Sequence, residues 1–301
     1  MLVSFASCSG QKEKNYIIET SDIANFWTAF DSIKNTDHKA KVFSELYLEK
    51  ASESFKKLIS MSGDIRNPEN YLQRFEQYPK FWESLRKPTL ELQNIRSDIQ
   101  SCYERVKNIY PKFEPGDVCV FVGPIAIQAS VPTGDIIFMG AEMNVTLNEI
   151  DLSEFQQDMS FIYLNDIKST IVHETIHLQQ MGESENLLQL TIREGSADFL
   201  AELFLEEPFK SPIYDYGKEN ERELWSEFSQ ELDSPDWNKW FYAKSKTEER
   251  PADLGYFIGY MITKSYYSKA KDKNKAIKEI IEVSDFHQFL ENSGYAEKFT
   301  K

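Results

Sequence analysis

The sequence predicts a mainly helical α+β domain with a small antiparallel sheet. Apolar residues recur at spacings of three and four over most of the chain, the period of a helix that buries one face. A single block, residues 115–140, instead carries short β-branched runs divided by Pro and Gly, the texture of short paired strands. Of 301 residues, 41% are hydrophobic and 14% aromatic, enough to fill a core and to exclude a disordered chain.

Residues 1–20 read as a tether. Met1 to Ser7 is apolar and small, and Phe5-Ala6-Ser7-Cys8 resembles a bacterial lipobox, the run before a cysteine that receives lipid. The seven residues before Cys8 lack the basic start and the length of an export signal. The polar stretch Ser9 to Lys14 suits an exposed linker. On this reading Cys8 is lipidated and the domain sits in the bacterial cell envelope, periplasmic or on the outer membrane. The lipid anchor is then its contact with the membrane, because no run of 18 apolar residues exists.

Residues 21–301 read as one mostly helical domain. In its first part, residues 21–113, one stripe runs through Phe43, Leu46, Tyr47, Ala51, Phe55 and Leu58. Tyr71, Phe75, Phe81, Trp82 and Leu85 follow, broken at Pro79. Leu90, Leu92, Ile95, Ile99, Tyr103, Val106 and Tyr110 make a third stripe. These aromatic-rich faces predict core, with partner surfaces as the alternative. Pro115-Gly116 marks the change to the second part, residues 115–301. Strands are expected over Val118–Gly123, Ala126–Val131 and Asp135–Gly140. After Asp158 the helical period returns, with Pro208, Pro212, Pro235 and Pro251 marking loops. Cys8, Cys102 and Cys119 make no disulfide framework, although Cys102 and Cys119 would be free to pair outside the cytoplasm.

The chemistry concentrates in His173-Glu174-Thr175-Ile176-His177. Residues four apart share a helix face, so both imidazoles point at one ion. Zn2+ suits neutral imidazole nitrogens, and a catalytic site takes three protein ligands and leaves a position for water. Glu174, beside the first ligand, is angled to take that water's proton. The uncharged neighbours Thr170, Ile171, Val172, Ile176 and Leu178 fit a buried helix, and Gly182 is a natural stop. A second helix is expected over Leu187–Glu206, carrying Arg193-Glu194-Gly195-Ser196-Ala197-Asp198. Glu194 and Asp198 share one face amid apolar residues. That disfavours unpaired carboxylates and predicts Glu194 as third ligand and Asp198 as partner of a ligand histidine. Gly195 would let the two helices approach closely.

His173-Glu174-x-x-His177 with Glu194-x-x-x-Asp198 resembles the gluzincin clan of zinc metallopeptidases over residues 165–207. The resemblance implies a zincin-like helical domain, with His173, His177 and Glu194 on zinc, Glu174 as general base and Asp198 behind a ligand. A narrower likeness adds Gly255-Tyr256-Phe257-Ile258-Gly259-Tyr260 and Leu290-Glu291-Asn292-Ser293-Gly294-Tyr295. It looks like a bacterial family of predicted zinc-dependent proteases, to which a gliding-motility lipoprotein is related. In the clan a downstream His stabilises the oxyanion. Here His38 and His287 lie in no telling context, so Tyr256, Tyr260 or Arg250 is expected in that role, with both tyrosines as core aromatics the alternative. Zincins also pair an edge strand with the peptide substrate, and Ile136–Ala141 is the segment expected to do so, with a closed β-hairpin packed on helices as the alternative.

The function expected is therefore a zinc-dependent metallopeptidase acting on a peptide or protein substrate. The alternative is a lipid-anchored envelope scaffold or assembly factor with a structural or vestigial zinc site. A zinc hydrolase on a non-peptide amide or ester is a third reading. With 34 basic residues against 49 acidic, the formal charge is −15, which repels phosphate backbones and excludes nucleic acid as a natural partner.

Overall fold

The computed structural model describes residues 16–127, 129–130, 136–144, 150–155, 167–208, 212–241 and 250–300. The Cys8 lipidation site lies outside these residues. Among the described residues, seven α-helices form the first part: α1 (Ser21–Ser32), α2 (Lys39–Phe43), α3 (Glu53–Met61), α4 (Gly63–Arg66), α5 (Pro68–Gln77), α6 (Pro79–Glu91) and α7 (Arg96–Ile109). Seven more form the second: α8 (Ile167–His177), α9 (Leu187–Leu205), α10 (Pro212–Glu219), α11 (Glu221–Phe228), α12 (Leu254–Lys269), α13 (Lys273–Ile281) and α14 (Phe286–Ser293). Four strands lie among them: β1 (Ile18–Glu19), β2 (Asp117–Phe121), β3 (Ala129–Ser130) and β4 (Ile136–Gly140). The mainly helical class with a small sheet therefore holds.

Side-chain caps set several helix starts. Ser52 accepts from Phe55 N at 3.2 Å, Asn67 accepts from Glu69 N at 3.1 Å, and Asn186 accepts from Gln189 N at 3.0 Å. The stripe breaks at Pro79 as expected: α5 ends at Gln77 and Pro79 opens α6 at its first position, where its missing N–H costs nothing. The aromatic stripes are core. Phe26, Phe43, Tyr47, Phe75 and Trp82 pack edge-on at centroid distances of 5–6 Å, as in the 5.0 Å Phe75–Trp82 pair. Phe55 stacks on Phe121 at 4.9 Å, which joins the helical part to the sheet in one continuous core.

The sheet is mixed, not antiparallel. Its order is β1-β2-β4-β3. β1 and β2 run parallel, as do β2 and β4, in register from Asp117↔Ile136 to Phe121↔Gly140; only β3 pairs antiparallel with β4. The reason is visible in burial. All five residues of β4 and four of β2 are buried, the unbroken apolar pattern of a strand covered on both faces. That pattern does not alternate, and it carries no record of strand direction. β1 falls inside the segment expected to be tether. The expected substrate-pairing strand Ile136–Ala141 is also corrected. β4 is interior, with β2 on one side and β3 on the other, so its central backbone groups are already paired.

Cys102 and Cys119 are separate buried thiols. Burial pushes Cys102 up to about 12 and Cys119 well above the ordinary thiol range, so both stay protonated and unreactive.

Just past β4, Glu142 is wholly buried. Gly123 N donates to its Oε2 at 2.8 Å, and Oε1 has no hydrogen-bond partner among the described residues. Burial pushes its carboxyl up to about 7, against the pull of the Gly123 and Ile125 N–H groups. The folded chain thus keeps this proton to higher pH than the unfolded chain does. Between about 4.5 and 7 the unfolded state ionises first, and stability falls as pH rises. Glu142→Gln removes that slope. The stability of the variant minus that of wild type should be about 3 kcal/mol larger at pH 8 than at pH 4.5. Urea unfolding at the two pH values measures it, and an equal difference at both would show that Glu142 does not titrate in this range.

Candidate metal centre

α8 is buried because Ile167, Ile171, Val172 and Ile176 leave almost no surface, and Tyr103 of α7 bonds Thr175 at 2.7 Å between their hydroxyls. That fixes the rotation of α8 and turns His173 and His177 toward α9. α9 opens at Asn186 and crosses α12 where Gly195 meets Gly259. The close approach at Gly195 is therefore to α12 and not, as expected, to α8: a Cβ on Gly195 would stand 2.0 Å from Tyr260 N, so this crossing requires glycine. The turn of α9 at this crossing presents Glu194 and Asp198 to α8.

Three atoms converge. His173 Nε2 and His177 Nε2 are 2.9 Å apart, and Glu194 Oε2 is 3.2 Å from each. Behind them, His173 Nδ1 is 2.7 Å from Asp198 Oδ1, and Tyr214 donates its hydroxyl proton to Asp198 Oδ2. His177 Nδ1 is 2.8 Å from Gln180 Oε1. The Gln180 amide orientation follows from its other bonds: Nε2 donates to Arg193 O at 3.1 Å and to Ser196 Oγ at 3.0 Å. Each histidine therefore faces an acceptor at Nδ1 and carries its proton there. Both Nε2 lone pairs then point into the same space as a carboxylate oxygen.

Such a triangle requires positive charge at its centre. Burial works against a cationic His173, yet the Asp198 and Glu194 carboxylates outweigh it and hold its pKa well above the ordinary value. Burial likewise disfavours the Glu194 carboxylate, and His177 and His173 more than offset that, lowering its pKa well below the usual range. A proton or a metal ion satisfies the same demand. Among the described residues, His173, His177 and Glu194 are the group that could hold an ion.

The other expected residues fall into place unevenly. Glu174 is half-buried on α8, and among the described residues its carboxylate takes no hydrogen bond or ion pair. Tyr256 lies beside the centre, its ring 6.1 Å from the His173 ring. Tyr260 is one turn further along α12, with its hydroxyl donating to Glu202 Oε1 at 2.7 Å and its ring 5.0 Å from Tyr214. Arg250 pairs with Glu227 at 3.0 Å and stacks over Trp240. His287 pairs with Asp233, and His38 is exposed. Two members of the site escape sequence reasoning, Gln180 and Tyr214. Gln180 follows His177 by three residues, a spacing that carries a usable signal; Tyr214 is brought in by tertiary packing alone.

No curated protein and no solved structure matches the chain. The family model of gliding motility protein GldB, a lipoprotein family, matches residues 9–297. With nearly its whole length matched, the chain belongs to the GldB gliding motility lipoprotein family.

Proposed function

We propose that this chain is a lipid-anchored protein of the bacterial cell envelope whose centre holds zinc and hydrolyses peptide bonds. The observation that carries the reading is the triangle of lone pairs. Zinc takes imidazole nitrogen and carboxylate oxygen at about 2.0–2.1 Å in a tetrahedron, whose edge is then about 3.3 Å. His173 Nε2, His177 Nε2 and Glu194 Oε2 stand 2.9–3.2 Å apart. The donor set suits that ion, and three ligands leave the fourth corner that a catalytic site needs. The likeness of the ligand motif to gluzincins supports the same reading.

When bound, zinc supplies a Lewis acid that polarises a carbonyl and acidifies a water. The chain's own residues supply the rest. Asp198 and Gln180 hold both imidazoles with Nε2 toward the centre. Glu174 takes the proton of the attacking water at its carboxylate and passes it to the departing amine nitrogen. Tyr256, whose ring lies 6.1 Å from the His173 ring, is the phenol we assign to the oxyanion.

Membership of a gliding motility family favours a second reading, a lipid-anchored scaffold or assembly factor in which the zinc site is structural or vestigial. In that reading Glu174 has no task. The first test is zinc per chain by elemental mass spectrometry on the full protein. About one zinc per chain is expected, lost in His177→Ala. A wild-type chain without zinc, even after reconstitution near neutral pH, would remove the peptidase reading and leave the scaffold.

A further inference from the structure

We infer that Gln180 is a positioning residue that hangs His177 from α9 and so makes the two-helix centre ready for metal. The inference rests on the zinc reading above. His177 is the last residue of α8, and Gln180 sits in the turn that follows, itself buried. Its backbone N–H closes that turn on Ile176 O and His177 O, both at 3.2 Å. Its side chain then reaches in two directions. Oε1 accepts from His177 Nδ1, while Nε2 donates to Arg193 O and Ser196 Oγ. Ser196 Oγ donates in turn to Arg193 O at 3.0 Å. Arg193 and Ser196 bracket Glu194, the third ligand. A single amide therefore ties the second ligand of α8 to the turn of α9 that presents the third. Arg193 adds a parallel tie, donating from Nη1 to Met181 O at 2.8 Å.

His173 is tied to α9 as well, through Asp198. The helix that gives one ligand thus orients the other two. The two ties differ in kind. His173 is packed inside the protein and faces a carboxylate that Tyr214 holds in place. The His177 side chain is 22% exposed and faces a neutral amide. Without Gln180, His177 is free to turn its ring and to move its proton to Nε2, which removes a ligand. His173 keeps its orientation. Loss of Gln180 should therefore weaken metal retention through His177 alone.

The test uses the full chain, with zinc affinity read by competition against a fluorescent chelator and cobalt(II) absorption as a second readout. Gln180→Leu keeps the bulk and removes the side-chain hydrogen bonds. Zinc affinity should fall 10–100-fold, about the loss that follows removal of a group orienting a metal ligand. The cobalt band should change, which a loss of general stability would not produce. Ser196→Ala leaves Oε1 on His177 and removes one anchor of Nε2, for an expected loss of about fivefold. It also serves as the test should Gln180→Leu fail to fold. Thr191→Val, at a buried hydroxyl of α9 without a hydrogen-bond partner among the described residues, should leave both readouts unchanged. Wild-type affinity and an unchanged cobalt band in folded Gln180→Leu would overturn the inference and leave the zinc reading standing. Wild-type affinity in Ser196→Ala, where the leucine variant does not fold, would do the same. A wild-type chain that binds no zinc would overturn both.

Discussion

Glu174→Gln is expected to keep one zinc per chain and to lose about 10³-fold in peptide hydrolysis, within the range that a positioned general base contributes. The substitution is nearly isosteric and removes the basic oxygen. Glu174 sits on α8 next to His173, so its backbone position is set by the same packing that sets the ligand. Among the described residues its carboxylate is engaged with no donor, and no structural bond is lost in the variant. Zinc binding should therefore survive, which separates this variant from His177→Ala. The measurement is the release of new amino termini from denatured protein by the zinc-loaded chain, beside zinc content. Equal rates in wild type and variant would place the base elsewhere. One zinc in both, with no cleavage by either, would favour the scaffold reading, because a structural site needs no base beside its ligand.

Gly195→Ala is expected to have the largest effect on folding. The added Cβ would stand 2.0 Å from Tyr260 N and 2.1 Å from the carbonyl carbon of Gly259. These are backbone atoms in the middle of α12, and no rotamer change relieves them. The helices must separate by more than an ångström along their most intimate contact. Overpacking of this kind costs about 3 kcal/mol or more. Because Glu194 precedes Gly195, the same displacement carries the proposed third ligand away from the histidines. The variant should unfold at lower urea and bind zinc weakly. Gly63→Ala is the control, since nothing lies within 4 Å of its Cβ position. Equal urea midpoints for the two variants would show that the α9–α12 crossing yields.

The convergence of His173, His177 and Glu194 was legible in the sequence. His173 and His177, then Glu194 and Asp198, repeat at four residues, and a helix turns that spacing into a shared face. The helical class and the strands β2 and β4 were legible for a similar reason, since burial imposes a period or an apolar run on the residues that supply it. The direction of β2 against β4 was not. Two strands buried on both faces read alike in either orientation, and register forms between segments far apart in the chain. β1 was missed because two residues carry no period at all. Tyr260 stood level with Tyr256 in the sequence, four residues apart on one helix. The packing of Glu202 and Tyr214 around it separates them, with the Tyr260 hydroxyl turned to Glu202 and the Tyr256 ring beside His173.

The sequence by itself determined which residues could form the proposed triad, because a spacing of four puts His173 with His177, and Glu194 with Asp198, on one face of a helix. Only the tertiary structure decided that Gln180 and Tyr214 orient the site, that β4 is interior, and that Gly195 and Gly259 set the helix separation. Each of those depends on atoms brought together across tens of residues, by packing of a core that no short window of sequence encodes.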